Sequence, residues 1–446
     1  MFRSLLLMLL WSPAVMAMGP VCKSLFYVPQ RVGIVDAYSS GRHVAPALNK
    51  YGIETVHVQS EKEIADPYFA STFDPSNFKT NVINSIGDIV GLVRRLIREK
   101  VELIIPGAES GVLLADELAH GVGTRGNPIE TSSARRNKFD MSERLRSLGI
   151  DSVKQIKSDN WERTRIWIEN HGKWPIVLKP VQGMGGNGNH VANNMKEAER
   201  AFKKLIGFRD SEGRILTEVL VQEFLGNLTY DSEYVVNTVS FMGIHVVTDV
   251  WRYHKYKVEG EGVIYSWDEL LPSRGELQEK LIAYNHKVLD ALEFRNGASH
   301  MEIMMTERGP ILIENNARLS GASGARLTEL TIGKSAVDWL VESIVGTAGF
   351  INRAKHRYKL KKEGLIVFIR TPEPGTMDSK LFDKVKSLSS FAEWVPYHKD
   401  GERVEKTVDS DTLVAEILLT NKDQEQLHRD LAQILKIQEE KGFLQY

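Results

Sequence analysis

At 446 residues, with 57 basic against 58 acidic side chains and a formal charge of −1, the chain lacks the electrostatic footprint of a general nucleic-acid binder. Its length exceeds what one hydrophobic core supports, so about three domains are expected. The 42% hydrophobic and 26% charged residues suit a globular enzyme, and Cys22, the sole cysteine, excludes a disulfide framework or a cysteine metal cluster.

Met1-Phe2-Arg3 precedes the apolar run Leu5–Trp11, and Ala14–Ala17 offers small residues at cleavage-like positions. Residues 1–17 read either as a secretory signal peptide or as an upstream start, with Met18 opening the chain. The run is too short to span a bilayer.

Arg31–Asp36 has the pattern of a buried strand. A turn at Ser39–Gly41 and helical spacing over Arg42–Tyr51 follow, then a strand at Thr55–Val58. An amphipathic helix over Ile86–Glu99, a strand at Val101–Ile105 and the loop Gly107–Gly111 complete residues 23–130. Strands alternating with helices predict a parallel α/β sheet. Ligands of such sheets bind beyond the C-terminal strand ends. The loops Ala37–Gly41 and Gly107–Gly111 are therefore candidate substrate contacts, or tight turns and no more. Without a G-x-G-x-x-G, a dinucleotide site is weakly supported.

Thr131-Ser132-Ser133 is the expected cap of a helix from about Ala134 to Leu148. Arg135, Arg136 and Lys138 in its first turn oppose the macrodipole. Either an anion neutralises them or they form an exposed basic surface.

Pro175–Pro180 is a strand carrying Lys179 near its end. Gly183, Gly185, Gly186 and Gly188 follow within six residues, and His190–Ala192 is again strand. Such glycines let backbone amides approach phosphate oxygens. Walker and Rossmann loops open onto a helix. This loop joins two strands and reads as a flap over phosphates, with Lys179 as a fixed charge.

Glu218–Gly226, Glu233–Val239 and Gly243–Val250 are strands. Trp251–Lys257 is aromatic and basic, with Gly260 and Gly262 beyond, and is expected to be a mobile loop over a phosphorylated intermediate. Glu276–Leu292 is a helix behind the next unit.

That unit is a β-hairpin: Ser299–Met304, a turn over Thr306–Pro310, and Ile311–Arg318. A turn centred on Arg308 sets Glu302 opposite Glu314 and His300 opposite Asn316. Period-two alternation puts His300, Glu302, Leu312, Glu314, Asn316 and Arg318 on one face, and Met301, Ile303, Ile311 and Ile313 on the other, the core. Facing glutamates destabilise a hairpin unless compensated. A divalent cation with oxygen ligands would compensate them; a solvated polar face is the bland alternative.

Leu327–Gly346 is mostly helical. From Leu360 a smaller α+β unit is expected, with strands at Gly364–Arg370, near Val404–Val408 and at Leu413–Leu419, and a helix over Gln424–Glu439. It shows no chemistry and is expected to close over the site.

A helix lysine, a strand lysine with a glycine flap, Gln222-Glu223-Phe224-Leu225, His-x-Glu and Glu-x-Asn-x-Arg occur in that order. This resembles the ATP-grasp fold of carboxylate–amine ligases, over about residues 30–420. Val35–Gly41, Gly107–Gly111 and Val235–Ser240 further resemble bacterial L-amino-acid ligases that make dipeptides. The resemblance implies α/β and α+β architecture. A parallel N-terminal domain (23–130) would precede ATP-grasp halves at 131–225 and 226–346, and a small C-terminal α+β domain (350–446) would follow.

The same resemblance implies roles. Lys138 and Lys179 would contact phosphates beneath the Gly183–Gly188 flap. Gln222, Glu223, Phe224 and Leu225 would form the adenine hinge, Glu233 would hold the ribose, and Leu312 would pack on adenine. Glu302, Glu314 and Asn316 would bind Mg²⁺ (or Mn²⁺). Arg318 and His300 are the candidate catalytic side chains, Arg318 stabilising the transferring phosphate and the acyl intermediate. Family members often carry a second acid or a Gly-Gly after the Asn-x-Arg segment, where this chain has Leu319-Ser320-Gly321-Ala322.

The expected reaction joins a carboxylate, an amino acid, to an amine through an acylphosphate formed from ATP, releasing ADP and phosphate. The partners are small-molecule carboxylate and amine substrates, without nucleic acid or a stable membrane span, and a homodimer is the expected assembly. Use of ATP favours the cytoplasm, with export as the alternative if residues 1–17 are a signal peptide. An ATP-grasp carboxylase is an alternative that would need a carrier, and no Met-Lys-Met attachment site occurs. A silent nucleotide-binding module is the other, against which intact Glu302, Glu314, Asn316 and Arg318 argue.

Overall fold

The computed structural model describes residues 27–64, 67–84, 87–182, 188–209, 214–226, 231–257 and 263–445. Residues 1–17, and Gly183, Gly185 and Gly186 of the flap, lie outside them. Among the described residues no helix is long and apolar enough to cross a membrane.

Strands β1 (Arg31–Val35), β2 (Glu54–Gln59), β3 (Thr80–Ile83) and β4 (Leu103–Pro106) form a parallel sheet in the order β3-β2-β1-β4. Val35, Val56, Val58, Leu92, Leu96 and Leu118 fill one of its cores. The short edge strand β3 buries one residue in four and has no clear sequence pattern. The loops after β1 and β4 meet backbone to backbone. A Cβ on Gly41 would lie 2.3 Å from Gly107 O, and one on Gly107 would lie 2.5 Å from Asp36 O.

The basic segment does not form one helix from Ala134. Two 3₁₀ turns, Ile129–Thr131 and Ser133–Arg135, precede a helix over Lys138–Ser147. Its cap is Asn137, which accepts from Phe139 N and Asp140 N, rather than Thr131–Ser133. The shorter helix separates the three cations. Arg135 is fully buried and pairs with Asp116 at 2.8 Å. Lys138 begins the helix.

Strands β5 (Gln155–Ser158), β6 (Ile176–Pro180), β7 (His190–Ala192) and β8 (Val219–Glu223) form an antiparallel sheet in the order β5-β8-β6-β7. Helices Trp161–His171 and Met195–Leu205 belong to the same unit, whose core includes Ile168, Leu178, Phe202, Leu205 and Val221. The glycine segment connects β6 and β7, which pair directly.

The largest sheet begins with β9 (Glu233–Phe241), β10 (Ile244–Lys257), β11 (Val263–Leu271), β12 (Gly297–Thr306) and β13 (Gly309–Asn316). The chain continues with β14 (Glu363–Ile369), β15 (Gly375–Met377), β16 (Phe391–Pro396), β17 (Arg403–Val404), β18 (Ala415–Asn421) and β19 (Leu444–Gln445). Eight of these strands make one antiparallel sheet, ordered β13-β12-β9-β10-β11-β14-β18-β16. The smaller unit from Leu360 therefore does not stand apart, because β14, β18 and β16 extend the sheet that carries the glutamate hairpin.

Trp251–Lys257 is not a mobile loop. It is the second half of β10, paired through Tyr253 with β9 and through Lys257 with β11, and Trp251 is buried. Alternating aromatic and basic residues suit a long strand with one wet face as well as they suit a loop.

Candidate active site

The hairpin turn is one residue tighter than a turn centred on Arg308. Thr306 pairs with Gly309, and the register runs to Ile303 opposite Leu312. A bulge then adds one residue to β13, bringing Glu302 opposite Glu314 and His300 opposite Asn316. The expected pairing of the polar residues thus holds, while the residues nearer the turn change face. Leu312, expected on the site face, joins Met301 and Ile303 in the core and is 1% exposed. Ile311 lies opposite Met304 and takes the face of Glu302, the reverse of the expected assignment.

Cross-strand pairing extends this face over the sheet. Met304 lies opposite Glu233, Glu233 opposite Tyr253, and Tyr253 opposite Asp268. Asp268 lies opposite Ile366, and Glu416 lies two residues before the partner of Ile366. One face therefore carries His300, Glu302, Glu314, Glu233, Asp268 and Glu416.

Lys138 at the start of its helix forms an ion pair with Glu314. Asn316 Nδ2 donates to Glu314 Oε1 at 3.0 Å. Burial alone would raise the Glu314 carboxyl, but Lys138 and the Asn316 hydrogen bond bring it well below its ordinary value. Lys179, on β6, is 6% exposed. Burial and the neighbouring Lys138 lower its pKa to about 8, against the pull of Glu314, Glu302 and Glu233. The opposed glutamates are thus compensated by two lysines from different elements.

His300 Nε2 stands 3.4 Å from Glu302 Oε1. Its Nδ1 lies 2.8 Å from Asn237 Oδ1, and Asn237 Nδ2 donates to Asp249. Trp251 Nε1 also donates to Asp249, whose pKa is raised by burial although these bonds oppose the rise. Since the Asn237 amide nitrogen is committed to Asp249, its oxygen accepts from His300 Nδ1–H. The geometry sets His300 between Glu302 and Asn237, one ring nitrogen toward each. Asn237 lies in the Val235–Ser240 stretch that carries the resemblance, whereas Asp249 has no local sequence signal.

Arg318 Nε donates to Glu109 Oε2 at 3.0 Å, and its Nη1 donates to Leu319 O at 2.8 Å. Arg136 Nη1 lies 3.5 Å from the other Glu109 oxygen. Glu109 is 2% exposed and sits in the loop after β4. That loop, read from the sequence as a candidate substrate contact or a tight turn, fixes the arginine beyond the hairpin.

Glu233 pairs with Lys255 at 2.7 Å, and burial raises its pKa. Gln222 is buried, with Nε2 donating to Gln155 Oε1 at 2.9 Å. Glu223 Oε1 accepts from Lys154 N at 2.9 Å and from Arg308 Nη2 at 2.6 Å, tying the small sheet to the hairpin turn. Phe224 and Leu225 are partly buried beside it. Gly188 has φ +76°, and a Cβ there would lie 3.0 Å from Pro180 Cγ.

The C-terminal unit, expected to show no chemistry, supplies Glu416. Its Oε2 accepts from Ser323 N at 3.0 Å, and Tyr397 Oη donates to its Oε1. The loop after Arg318 is thereby anchored to β18.

Among the described residues no three His, Cys, Asp or Glu side chains form a self-sufficient metal site. Glu302, Glu314 and Asn316 offer two carboxylates and an amide oxygen, the hard donors that fit a magnesium ion. They would leave the rest of its octahedral shell to water and phosphate oxygens, as is usual for that ion at a nucleotide.

A family model of the ATP-grasp domain matches residues 136–322. Dapdiamide A synthase of Enterobacter agglomerans is 30% identical over 383 residues, 84% of this chain and 88% of that protein. The L-arginine-specific L-amino acid ligase of Bacillus subtilis is 22% identical over 230 residues, 51% of this chain and 53% of that protein. The solved L-amino acid ligase from Bacillus licheniformis has the same fold, with a TM-score of 0.69 at 14% identity, covering 92% of this chain and 98% of that one. Matched over most of both chains to a relative at 30% identity, the protein belongs to the ATP-grasp family, as one of its ATP-dependent carboxylate–amine ligases.

Proposed function

We propose that the protein joins two amino acids, activating the carboxylate of one as an acylphosphate with Mg²⁺-ATP (or Mn²⁺-ATP) in the cytosol. A carboxylate is a poor acylating agent. Transfer of the γ-phosphoryl group to its oxygen, with loss of ADP, turns that oxygen into part of a phosphate leaving group. The neutral amine then attacks the carbonyl carbon, phosphate departs with the C–O bond electrons, and the amine proton goes to solvent or phosphate.

The observation that carries this reading is the opposed pair Glu302 and Glu314, neutralised by Lys138 beside Lys179. Glu302, Glu314 and Asn316 would hold the cation, which neutralises phosphoryl charge when bound. Lys138 would then turn from Glu314 to phosphate oxygens, with Lys179 as the second contact. Arg318, fixed by Glu109, would meet charge developing on the phosphoryl and acyl oxygens. Gln222–Leu225 would line the adenine hinge through backbone groups, Glu233 would hold the ribose, and Ile311 would take the adenine contact expected of Leu312. His300 would orient Glu302. The segment containing Gly183, Gly185, Gly186 and Gly188 would cover the phosphates and exclude water that would hydrolyse the acylphosphate.

The test is ADP and phosphate release from Mg²⁺-ATP with pairwise amino-acid mixtures, with products read by mass. Release that depends on two amino acids, with a dipeptide mass, is expected. ADP release without a condensation product from any pair would defeat the amino-acid reading.

A further inference from the structure

Asp268 is 5% exposed, and its Oδ1 is a buried atom without a hydrogen-bond partner. Buried carboxylate oxygens are nearly always hydrogen-bonded, because desolvation is otherwise uncompensated. The neighbouring cation, Lys255, has its salt bridge to Glu233. Glu416 does not relieve Asp268 either, since its oxygens take Ser323 N and the Tyr397 hydroxyl.

The surroundings are aromatic. Tyr253 lies directly across from Asp268, and its ring meets Tyr265 edge-on with centroids 5.4 Å apart. Tyr265 in turn lies 5.4 Å from Phe368, which is paired with Glu416. A carboxylate among aromatic faces suits an organic ammonium, which gains an ion pair on one side and ring quadrupoles on the others. Asp268 lies on the sheet face of Glu302 and Glu314, and Glu416 on that same face accepts from Ser323 N in the loop that follows Arg318.

Resting on the ligase reading above, we propose that Asp268 binds the ammonium group of the carboxylate-donating substrate, so that this substrate is an amino acid with its own amine free. The chemistry separates this amine from the attacking one. A nucleophilic amine must be neutral, whereas a carboxylate partner in a buried site holds an amine as its unreactive ammonium. Asp268 therefore serves the amine that does not react and keeps it from acting as a nucleophile. Burial pushes the Asp268 carboxyl well above its ordinary value against the pull of Lys255, and an ammonium beside it would favour its charged form.

The experiment compares matched donors, L-alanine with propionate and L-leucine with 4-methylpentanoate. Each is offered with Mg²⁺-ATP and a mixture of amino-acid acceptors, and products are read by mass. The native enzyme is expected to prefer the amino-bearing donor by at least about 10²-fold in kcat/KM. D268N is expected to bring that ratio close to one, with ADP binding and Tm measured in parallel. The ratio is internal to each protein, so loss of folded material does not move it. An unchanged ratio in D268N, or a native enzyme indifferent to the donor amine, overturns the assignment while the ligase reading stands. No product from any donor with the native enzyme defeats both.

Discussion

Lys138 holds its ammonium against Glu314, the carboxylate that the hairpin register sets opposite Glu302. A lysine ammonium thus stands beside the carboxylate where a divalent cation is proposed to sit. Removing Glu314 takes away a facing like charge but leaves Lys138 and Lys179 less compensated. The two effects oppose each other, so E314Q is expected to shift Tm little. Turnover should fall by about 10²–10³-fold, the scale of losing one preorganised electrostatic group. The magnesium dependence of ADP binding should weaken in parallel. A large loss of Tm with activity kept would contradict the hairpin assignment.

Lys179 predicts a proton linkage. Burial and Lys138 bring its pKa to about 8, whereas it titrates near 10.5 when unfolded. Between these values the unfolded chain binds the proton and the folded one does not, so the Lys179 contribution to stability rises with pH across this window. Below pH 8 its burial penalty is fully present. Phosphate binding needs the charged amine, so ADP should be bound with proton uptake above pH 8. Calorimetry at pH 8.5 in buffers of different ionisation enthalpy should detect that uptake in the native protein. K179R, whose guanidinium stays charged, should lose it even where it binds ADP.

The acidic hairpin was legible because alternation and turn residues are local signals; Lys179 stood out beside a glycine run, whereas Lys138 was one of three basic residues and was distinguished only by the family resemblance. The bulge was not legible, since one extra residue in β13 leaves the local pattern of apolar and turn residues unchanged and shows only in the pairing of β12 with β13. Asp268 and Glu416 were invisible for a related reason. Their membership of the site face depends on a register shift between β10 and β11 and on the pairing of β11 with β14 and of β14 with β18, strands far apart in sequence. Glu109 was visible only as part of a loop, because its partners Arg136 and Arg318 come from other segments.

That cross-segment contact gives a third expectation. Glu109 holds Arg318 at Nε and faces Arg136 with its other oxygen. E109Q keeps the volume but removes the charge that orients both guanidinium groups. Misplacing a catalytic group by about 1 Å can cost about 10²-fold, and a fall of that order is expected in kcat. ADP affinity should stay near the native value, because adenine and phosphate contacts are elsewhere. Equal losses in ADP binding and kcat would place Glu109 in the nucleotide site instead.

The bulge makes the last expectation separable from the others. Leu312 lies in the core with Met301 and Ile303, whereas Ile311 shares the face of Glu302 and Met304. L312A should destabilise by about 2–5 kcal/mol through cavity formation, as buried large-to-small changes do. I311A also creates a cavity, since Ile311 is fully buried, but it alone should raise the KM for ATP in proportion beyond its loss of stability. The comparison is therefore KM against denaturant midpoint for the two variants. If L312A raises KM and I311A does not, the face assignment derived from the bulge fails, and the original period-two reading of the hairpin, with Leu312 toward adenine, is restored.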